Sequence, residues 1–289
     1  MTRAMSLTDS AGGYLVPFQL DPTVIITSNG TRNDIRKVAR QVVATGDVWN
    51  GVSAGQVTWA FAAEGTESSD NAPTFAQPAI NIYKAQGFVP ISIEALDDEA
   101  NVTAEVARLL AFGREDLEAT KFITGSGTGE PFGIVAALTG TSSEITTATN
   151  DVFALADVYK LDNNLPARYR TNSSWLGHRA IYNLIRAFDT AGGAGMWVQL
   201  QGDQPPQMLG RSVYEAEAMD NVATDAKRIL IYGDFENYVI ADRVGMTVEF
   251  IPHLLGANRR PAGQRGWYAY YRVGADSVND GGFRMLKVQ

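Results

Sequence analysis

The sequence of 289 residues contains no cysteine and only two histidines. Without cysteine, the chain can form neither disulfide bonds nor thiolate metal sites. His178 and His253 stand apart from any HExxH or similar ligand spacing, so we interpret both as structural residues. No metal or other cofactor is therefore expected.

Long apolar runs and an excess of basic charge are also lacking. No apolar run is long enough to cross a membrane, and the N-terminus lacks a basic-then-apolar secretion signal. Together these two observations predict a soluble chain that is assembled in a cytoplasm. Lysine and arginine total 24 against 32 aspartates and glutamates, which gives a formal net charge of -8. Proteins that hold nucleic acid by its phosphates normally carry a basic balance. The charge argues against DNA binding as the main activity, but not against enclosing DNA.

The most prominent element is a long amphipathic helix predicted over residues 97–124. Apolar residues recur at helical spacing, and Asp97, Asp98 and Glu99 occupy the first turn, where the helix dipole favours negative charge. The following GSGTGEP segment lacks the Lys-Ser/Thr pair of a phosphate-binding loop, and it follows a helix where nucleotide motifs follow a strand. We interpret it as a turn that ends the helix.

No set of residues in the sequence resembles an active site. There is no Gly-x-Ser-x-Gly motif, and no nucleophile stands with a base and an orienting group. Helix-dipole complementarity accounts for the acidic residues at 97–99 more simply than a metal or acid–base cluster does. We predict that the protein is not an enzyme, and keep a soluble enzyme of unrecognised type as a distant alternative.

Residues 47–90 predict a long two-stranded arm with a polar tip. The segment VTWAF (57–61) alternates like a half-buried strand, and residues 79–93 read as the returning strand, interrupted at Gly87 and Pro90. Such a hairpin is marginally stable alone, so its apolar residues need cover from another element or another subunit. The side chains predicted to make inter-subunit contacts here are Trp59, Phe61, Phe75, Glu64 and Glu67.

The remaining chain mixes helices and strands without a regular βαβ repeat, which predicts an α+β fold. A helix over 33–43 would place Arg36 and Arg40 on one face, either exposed to solvent or in contact with carboxylates of a neighbouring subunit. Further helices are predicted at 150–164, with Asn150 or Asp151 as N-cap, and at 178–188. Strands are predicted at 173–176, 229–235, 237–243, 246–251, 267–272 and 283–288.

Several segments together resemble the major capsid proteins of tailed bacteriophages, which have the Hong Kong 97 fold. They are GGYLVP (12–17), VTWAF with the loop after it, PISIEALDDEA (90–100), FITGSGTGEPFGI (122–134), SSWLGHRAIYNLI (173–185), MLGRSVY (208–214), IYGDFENYVIADRVGMTVE (231–249) and RVGADSVNDGGFRMLKV (272–288). No single motif is decisive. The glycine loop after a long helix, followed later by Tyr-Gly-Asp-Phe, is fairly specific in combination.

The resemblance implies a division of the chain into four parts. These are an N-terminal arm (1–32), an extended β-hairpin loop (47–90), a peripheral domain (33–46, 91–140 and 246–275) that contains the spine helix 97–124, and an axial domain (141–245 and 276–289). It also implies a structural protein that self-assembles into hexamers and pentamers of an icosahedral virion capsid around double-stranded DNA. Portal and scaffolding proteins, with decoration proteins in some relatives, are the implied partners.

Two departures from relatives qualify this expectation. Many relatives carry a scaffolding segment that a protease removes, whereas eleven residues precede GGYLVP here, which predicts a processed chain or a separate scaffolding protein. Some relatives crosslink through a lysine at the loop tip, but residues 63–78 contain no lysine, so we expect a non-covalent shell. An encapsulin-type compartment and a gene-transfer-agent capsid are the alternatives, and the GGYLVP arm favours a phage capsid over an encapsulin.

Overall fold

The computed structural model describes residues 30–67, 70–93, 102–192, 197–198 and 206–289. The helices are α1 (Ile35–Val38), α2 (Val102–Thr124), α3 (Ile134–Leu138), α4 (Leu155–Asn164), α5 (Ala167–Arg170) and α6 (Arg179–Gly192). The strands are β1 (Arg40–Val43), β2 (Val48–Asn50), β3 (Ser53–Ala54), β4 (Phe75–Ala76), β5 (Ala79–Asn81), β6 (Tyr83–Ser92), β7 (Glu144–Thr146), β8 (Ser174–Gly177), β9 (Trp197–Val198), β10 (Gln207–Met208), β11 (Arg211–Glu215), β12 (Arg228–Gly233), β13 (Tyr238–Ile251), β14 (Gln264–Ser277) and β15 (Phe283–Lys287). This mixture confirms the predicted α+β class.

The strands form two main sheets. One has four strands in the order β1-β13-β14-β6, and the other has seven in the order β7-β15-β12-β8-β11-β10-β9. Two small ribbons, β2 with β5 and β3 with β4, complete the pairing. The non-sequential orders mean that residues far apart in the chain lie side by side in both sheets.

A single antiparallel ribbon runs through both sheets. Its outer part pairs β13 with β14, from Tyr238 opposite Ser277 to Ile251 opposite Gly266. Its inner part pairs β12 with β15, ending at Gly233 opposite Phe283. Between the two parts, the backbone N–H of Val278 donates to the carbonyl of Asn237 (3.0 Å). The predicted strands at 237–243 and 246–251 are thus one bulged strand.

The spine helix α2 lies against the four-stranded sheet, and one face of its last turns is buried. Phe122 and Ile123 belong to the same core cluster as Tyr238 and Tyr271 of the sheet. The guanidinium of Arg114 lies over the Tyr271 ring at 4.6 Å, which adds a cation–π contact across the interface. Helix and sheet therefore share one core.

The GSGTGEP segment is a compact turn that ends α2. Gly127 and Gly129 have φ angles of 76° and 73°, which favour glycine because it lacks a Cβ atom. The Glu130 carboxylate pairs with Lys121 (2.6 Å) and accepts from the Ser126 N–H (2.9 Å). The hydrogen bond from Lys121 and those from Ser126 hold the pKa of Glu130 below its usual range. The prediction of a helix-ending turn is confirmed.

A second core lies around the seven-stranded sheet. Trp175 stacks on Tyr232 with ring centroids 4.1 Å apart, and its indole N–H donates to the carbonyl of Met208 (3.0 Å). Helices α4 and α6 contribute Leu161 and Ile185 to this cluster. The buried indole thus fills apolar space while its one polar atom is satisfied.

Several local predictions are wrong, each because a tertiary contact overrides a local pattern. Of the predicted helix 33–43, only α1 is helical, and Arg40–Val43 form β1, which pairs in parallel with β13. Residues 57–61 form no regular strand, and β6 pairs with β14 instead. Strand β6 also continues through Gly87 and Pro90, because it is a sheet edge where a missing N–H is tolerated. Helix α4 begins at Leu155, after Ala154 in place of the predicted caps.

An ion network fastens the segment before β1 to the spine helix. Arg36 pairs with Glu118 of α2 (2.9 Å) and, through both terminal nitrogens, with Asp242 of β13 (2.7 and 2.9 Å). Arg114 also donates to Glu118 (2.8 Å), whose side chain is only 4% exposed. Burial alone would lower the pKa of Arg36. The carboxylates of Asp242 and Glu118 together have a larger effect than burial, and they raise this pKa above its usual range. The network joins three distant parts of the chain.

We expect Glu118→Gln to lower the free energy of unfolding by about 3 kcal/mol, because it leaves two partly buried guanidinium groups short of one carboxylate. Urea unfolding of the unassembled subunit measures this value. Glu115→Gln is the matched control, since Glu115 is exposed on the same helix. Equal stability of the two variants would contradict a stabilising role for the network.

Candidate assembly surface

The extended loop leaves the body of the protein at a charged clamp. The Asp47 carboxylate is paired with the guanidinium groups of Arg243 and Arg272, the latter at 3.0 Å. The carbonyl of Asp47 accepts from the N–H of Ile82 (2.9 Å), so the outgoing and returning segments are tied together at the same point. This clamp lies at the point where the loop leaves the sheet.

Beyond the clamp, the loop is a narrow ribbon that is buried only at its base. Ile80 packs with Val239 and Ala241 in a small core cluster, and Trp49 packs against it. Farther out, β3 and β4 pair over two residues each. The burial of the ribbon therefore decreases from its base toward its tip.

The distal part of the ribbon carries aromatic side chains that no other residue in the described part of the chain covers. Trp59 is 91% exposed, Phe61 is fully exposed and Phe75 is 70% exposed. A folded subunit rarely leaves neighbouring aromatic residues in water unless another surface binds them. This exposure fits the prediction that these three residues make inter-subunit contacts. That contact role remains a proposal.

The same part of the loop is acidic. Glu64, Glu67 and Asp70 are all exposed, and residues 48–83 contain no lysine or arginine. Within the described part of the chain, none of the three carboxylates forms an ion pair with a basic side chain. The loop tip therefore presents negative charge and aromatic surface together.

The two arginines predicted as contact residues lie elsewhere. The guanidinium of Arg36 is bound within its own chain by Glu118 and Asp242, an arrangement that neither sequence interpretation anticipates. Arg40 begins β1 and is exposed, so it is open to a neighbour. Sequence reasoning missed the clamp of Asp47, because its arginine partners lie about two hundred residues away in the chain.

A small cavity of about 230 Å³ lies where the loop base meets the glycine turn. The Tyr83 hydroxyl donates across it to the carbonyl of Gly127 (2.6 Å), and Asp276 lines it. Burial raises the pKa of Asp276 to about 6, although its carboxylate accepts from the Ser277 N–H (2.7 Å). A partly buried carboxyl group thus lies beside the base of the loop.

Among the described residues, no group of histidines and carboxylates is arranged to hold a metal ion. In the same part of the chain, no helix is long and apolar enough to span a membrane. The loop tip exposes aromatic side chains and carboxylates together, which suits it to binding another macromolecular surface.

Comparison with known families identifies the protein class. The profile of the phage capsid family matches residues 12–288, nearly the whole sequence. The chain belongs to the phage capsid family. This capsid protein is accordingly a structural protein of a shell, as the sequence resemblance predicts. No match was found among curated proteins.

Solved structures confirm the Hong Kong 97-type fold. A capsid chain of a native GTA particle is similar at 24% identity and a TM-score of 0.84, with 98% of each chain covered. The Microbacterium phage Oxtober96 structure matches at 14% identity and a TM-score of 0.67, covering 98% of this chain and 99% of that one. The SrpI encapsulin from Synechococcus elongatus matches at 12% identity and a TM-score of 0.69. The match covers 98% of this chain and 95% of the encapsulin chain. The same subunit architecture thus occurs in all three kinds of shell.

We expect Asp276→Asn to stabilise the subunit at neutral pH. A raised pKa in the folded state means that stability falls as pH rises from about 4, the usual aspartate value, through about 6. Asparagine removes the buried charge and keeps an acceptor for Ser277. The melting temperature of the variant should exceed that of the wild type at pH 7.5, and the two should converge below pH 4. A constant difference at every pH would contradict this explanation.

We expect Trp59→Ala to leave the isolated subunit as stable as the wild type but to impair shell formation, because the described part of its own chain leaves the side chain 91% exposed. Thermal unfolding and the yield of sedimenting particles separate the two effects. Val222→Ala, at another exposed apolar side chain, is the control and should assemble normally. Loss of subunit stability in Trp59→Ala would show instead that the residue supports its own chain.

Proposed function

We propose that this capsid protein assembles as hexamers and pentamers into an icosahedral phage head that encloses double-stranded DNA. The observation that carries the proposal is the exposed distal loop, in which Trp59, Phe61 and Phe75 require a neighbouring surface. Many copies of one such contact, repeated around closed symmetry, give a stable container even when each contact is weak.

The proposed shell is held together by non-covalent contacts. The loop tip, residues 63–78, contains no lysine. Lys84 lies at the start of β6, with its ammonium group 5.2 Å from the ring centroids of both Tyr268 and Tyr270. The nearest lysine along the returning segment is therefore engaged with the four-stranded sheet of its own chain.

The proposed cargo is DNA that the protein holds without binding it tightly. A net charge of -8 supports weak contact with a phosphate backbone, since tight binding would need many lysines and arginines. In this proposal assembly takes place in the host cytoplasm, with a portal and a scaffolding protein as partners, and with decoration proteins where a phage encodes them.

A gene-transfer-agent capsid is the second candidate. The observation in its favour is the TM-score of 0.84 to a GTA capsid chain over nearly the full length of both chains. An encapsulin-type compartment has the lower TM-score of 0.69. The three candidates share a subunit fold and differ in what the shell encloses.

Size-exclusion chromatography and negative-stain electron microscopy of the purified protein test the proposal. We expect uniform shells tens of nanometres across, and boiling in detergent should release single chains of 31.2 kDa. A ladder of covalent multimers would contradict non-covalent assembly, and a monomer under all conditions would overturn the capsid function.

The contents of native shells, after nuclease treatment of their exterior, separate the candidates. A single protected genome is expected for a phage head. Protected DNA that samples the whole host chromosome would instead indicate a gene-transfer agent, and an enclosed protein without DNA would indicate an encapsulin.

A further inference from the structure

We infer that Asn50 is a site of spontaneous modification, at which the side-chain amide is converted to a carboxylate when the β2–β5 ribbon at the base of the extended loop opens. Asparagine followed by glycine occurs twice in the sequence, at 29–30 and 50–51. Of these two pairs, the one at 50–51 lies wholly within the described residues. The reaction consumes only water, so it does not depend on the proposed function of the protein.

The chemistry uses groups of the chain itself. The backbone nitrogen of Gly51 attacks the side-chain carbonyl carbon of Asn50, a succinimide ring closes, and the amide nitrogen leaves as ammonia together with the proton from Gly51. Water then opens the ring at either carbonyl. One opening gives aspartate, and the other gives isoaspartate, in which the backbone runs through the former side chain. Glycine hinders the attack least, because it has no Cβ atom and its backbone reaches conformations that other residues avoid.

Packing at the loop base favours the glycine of this pair. A Cβ atom at residue 51 would lie 2.7 Å from the Trp49 ring and 3.3 Å from the side chain of Pro78, so another residue there would displace the ring. Trp49 itself packs against the core cluster that contains Ile80. Asn50, by contrast, is exposed. The fold thus accounts for the glycine, and the reactive amide beside it is open to water.

The closed ribbon protects Asn50 from this reaction. The N–H of Gly51 donates to the carbonyl of Pro78 (2.9 Å), and Asn50 lies opposite Ala79 in the antiparallel pairing of β2 with β5. The attacking nitrogen must lose its proton and turn toward the side chain of Asn50, and both steps require that this hydrogen bond breaks. Hydrogen exchange of bonded amides has the same requirement for local opening.

The ribbon is short enough to open without unfolding the subunit. Strands β2 and β5 pair over three residues, and the next ribbon outward, β3 with β4, pairs over two. An isolated two-stranded ribbon is marginally stable in water, and short exposed elements open at a small fraction of the free energy of global unfolding. The rate of conversion at Asn50 therefore reports how often the base of the loop opens.

The product changes the loop in two ways. A carboxylate at residue 50 adds negative charge to the segment 48–83, which contains no lysine or arginine. Isoaspartate also lengthens the backbone by a carbon atom, so the bond from Gly51 to Pro78 and the pairing with Ala79 no longer fit the same register. A chain that carries isoaspartate at this position therefore has a less stable ribbon than a new chain.

Mass spectrometry of the purified full chain tests the inference. The unassembled wild type is incubated at mildly alkaline pH, in buffer and in concentrated urea, and the peptide that contains Asn50 is followed over time. We expect conversion in both samples, about tenfold or more slowly in buffer, because the ribbon must open first. Asn71 is the internal control, since it is exposed in the same loop but precedes alanine. It should convert far more slowly than Asn50 in urea.

Two variants separate ribbon opening from the chemistry. Trp49→Ala removes the ring that covers Gly51 and should raise the rate at Asn50 in buffer about threefold or more, with the rate in urea unchanged. Asn50→Gln keeps an amide but lengthens the side chain, so ring closure is disfavoured and residue 50 should stay unconverted in both samples. Thermal unfolding verifies that each variant folds.

Several results would overturn the inference. Equal rates in buffer and in urea would show that the ribbon gives no protection, and a folded Trp49→Ala variant that converts no faster than the wild type would show the same. Wild-type Asn50 that stays an amide throughout extended incubation in buffer would exclude modification of the folded chain. Each of these readouts is made on the unassembled subunit, so the capsid function stands or falls separately.

Discussion

The antiparallel ribbon formed by β12–β13 and β14–β15 is the constraint on which the rest of the subunit depends. Its outer half supplies the two central strands of the four-stranded sheet, and its inner half supplies two neighbouring strands of the seven-stranded sheet. The spine helix packs on the outer half, and helices α4 and α6 complete the core on the inner half. Because two segments of the chain run from one sheet into the other through short 3-10 turns, the two sheets are directly connected.

Tyr238 links this ribbon to the spine helix at the point where the glycine turn begins. Its fully buried hydroxyl group lies 3.0 Å from the carbonyl oxygen of Phe122 and 2.8 Å from that of Phe132. A single O–H can donate to only one of these at a time, so the two carbonyls that flank the turn share one donor. The end of the helix and the start of the next segment are thus held against the first residue of β13.

Local sequence patterns predicted those elements whose conformation is set by residues close together in the chain. The end of the spine helix followed from its glycines, and the strand at Trp175 and the helix after His178 followed from apolar spacing. The resemblance of several motifs together supplied the fold. Local patterns could not predict the β1 strand, whose partners in β13 lie about two hundred residues away. The contact surface was only partly predictable, because aromatic residues in a polar loop are visible in a sequence, whereas the clamp of Asp47 depends on pairing that is set by the whole fold.

The continuity of the ribbon also determines how the subunit carries mechanical load. Consider a force that pulls the β13–β14 hairpin away from the seven-stranded sheet. This force acts along two segments of the same chain, β12–β13 and β14–β15, whose backbones run from one sheet into the other. The tension therefore falls on covalent bonds, and no hydrogen bond between strands has to break for it to be transmitted. A shell strained from within would distribute such a force between both sheets of every subunit.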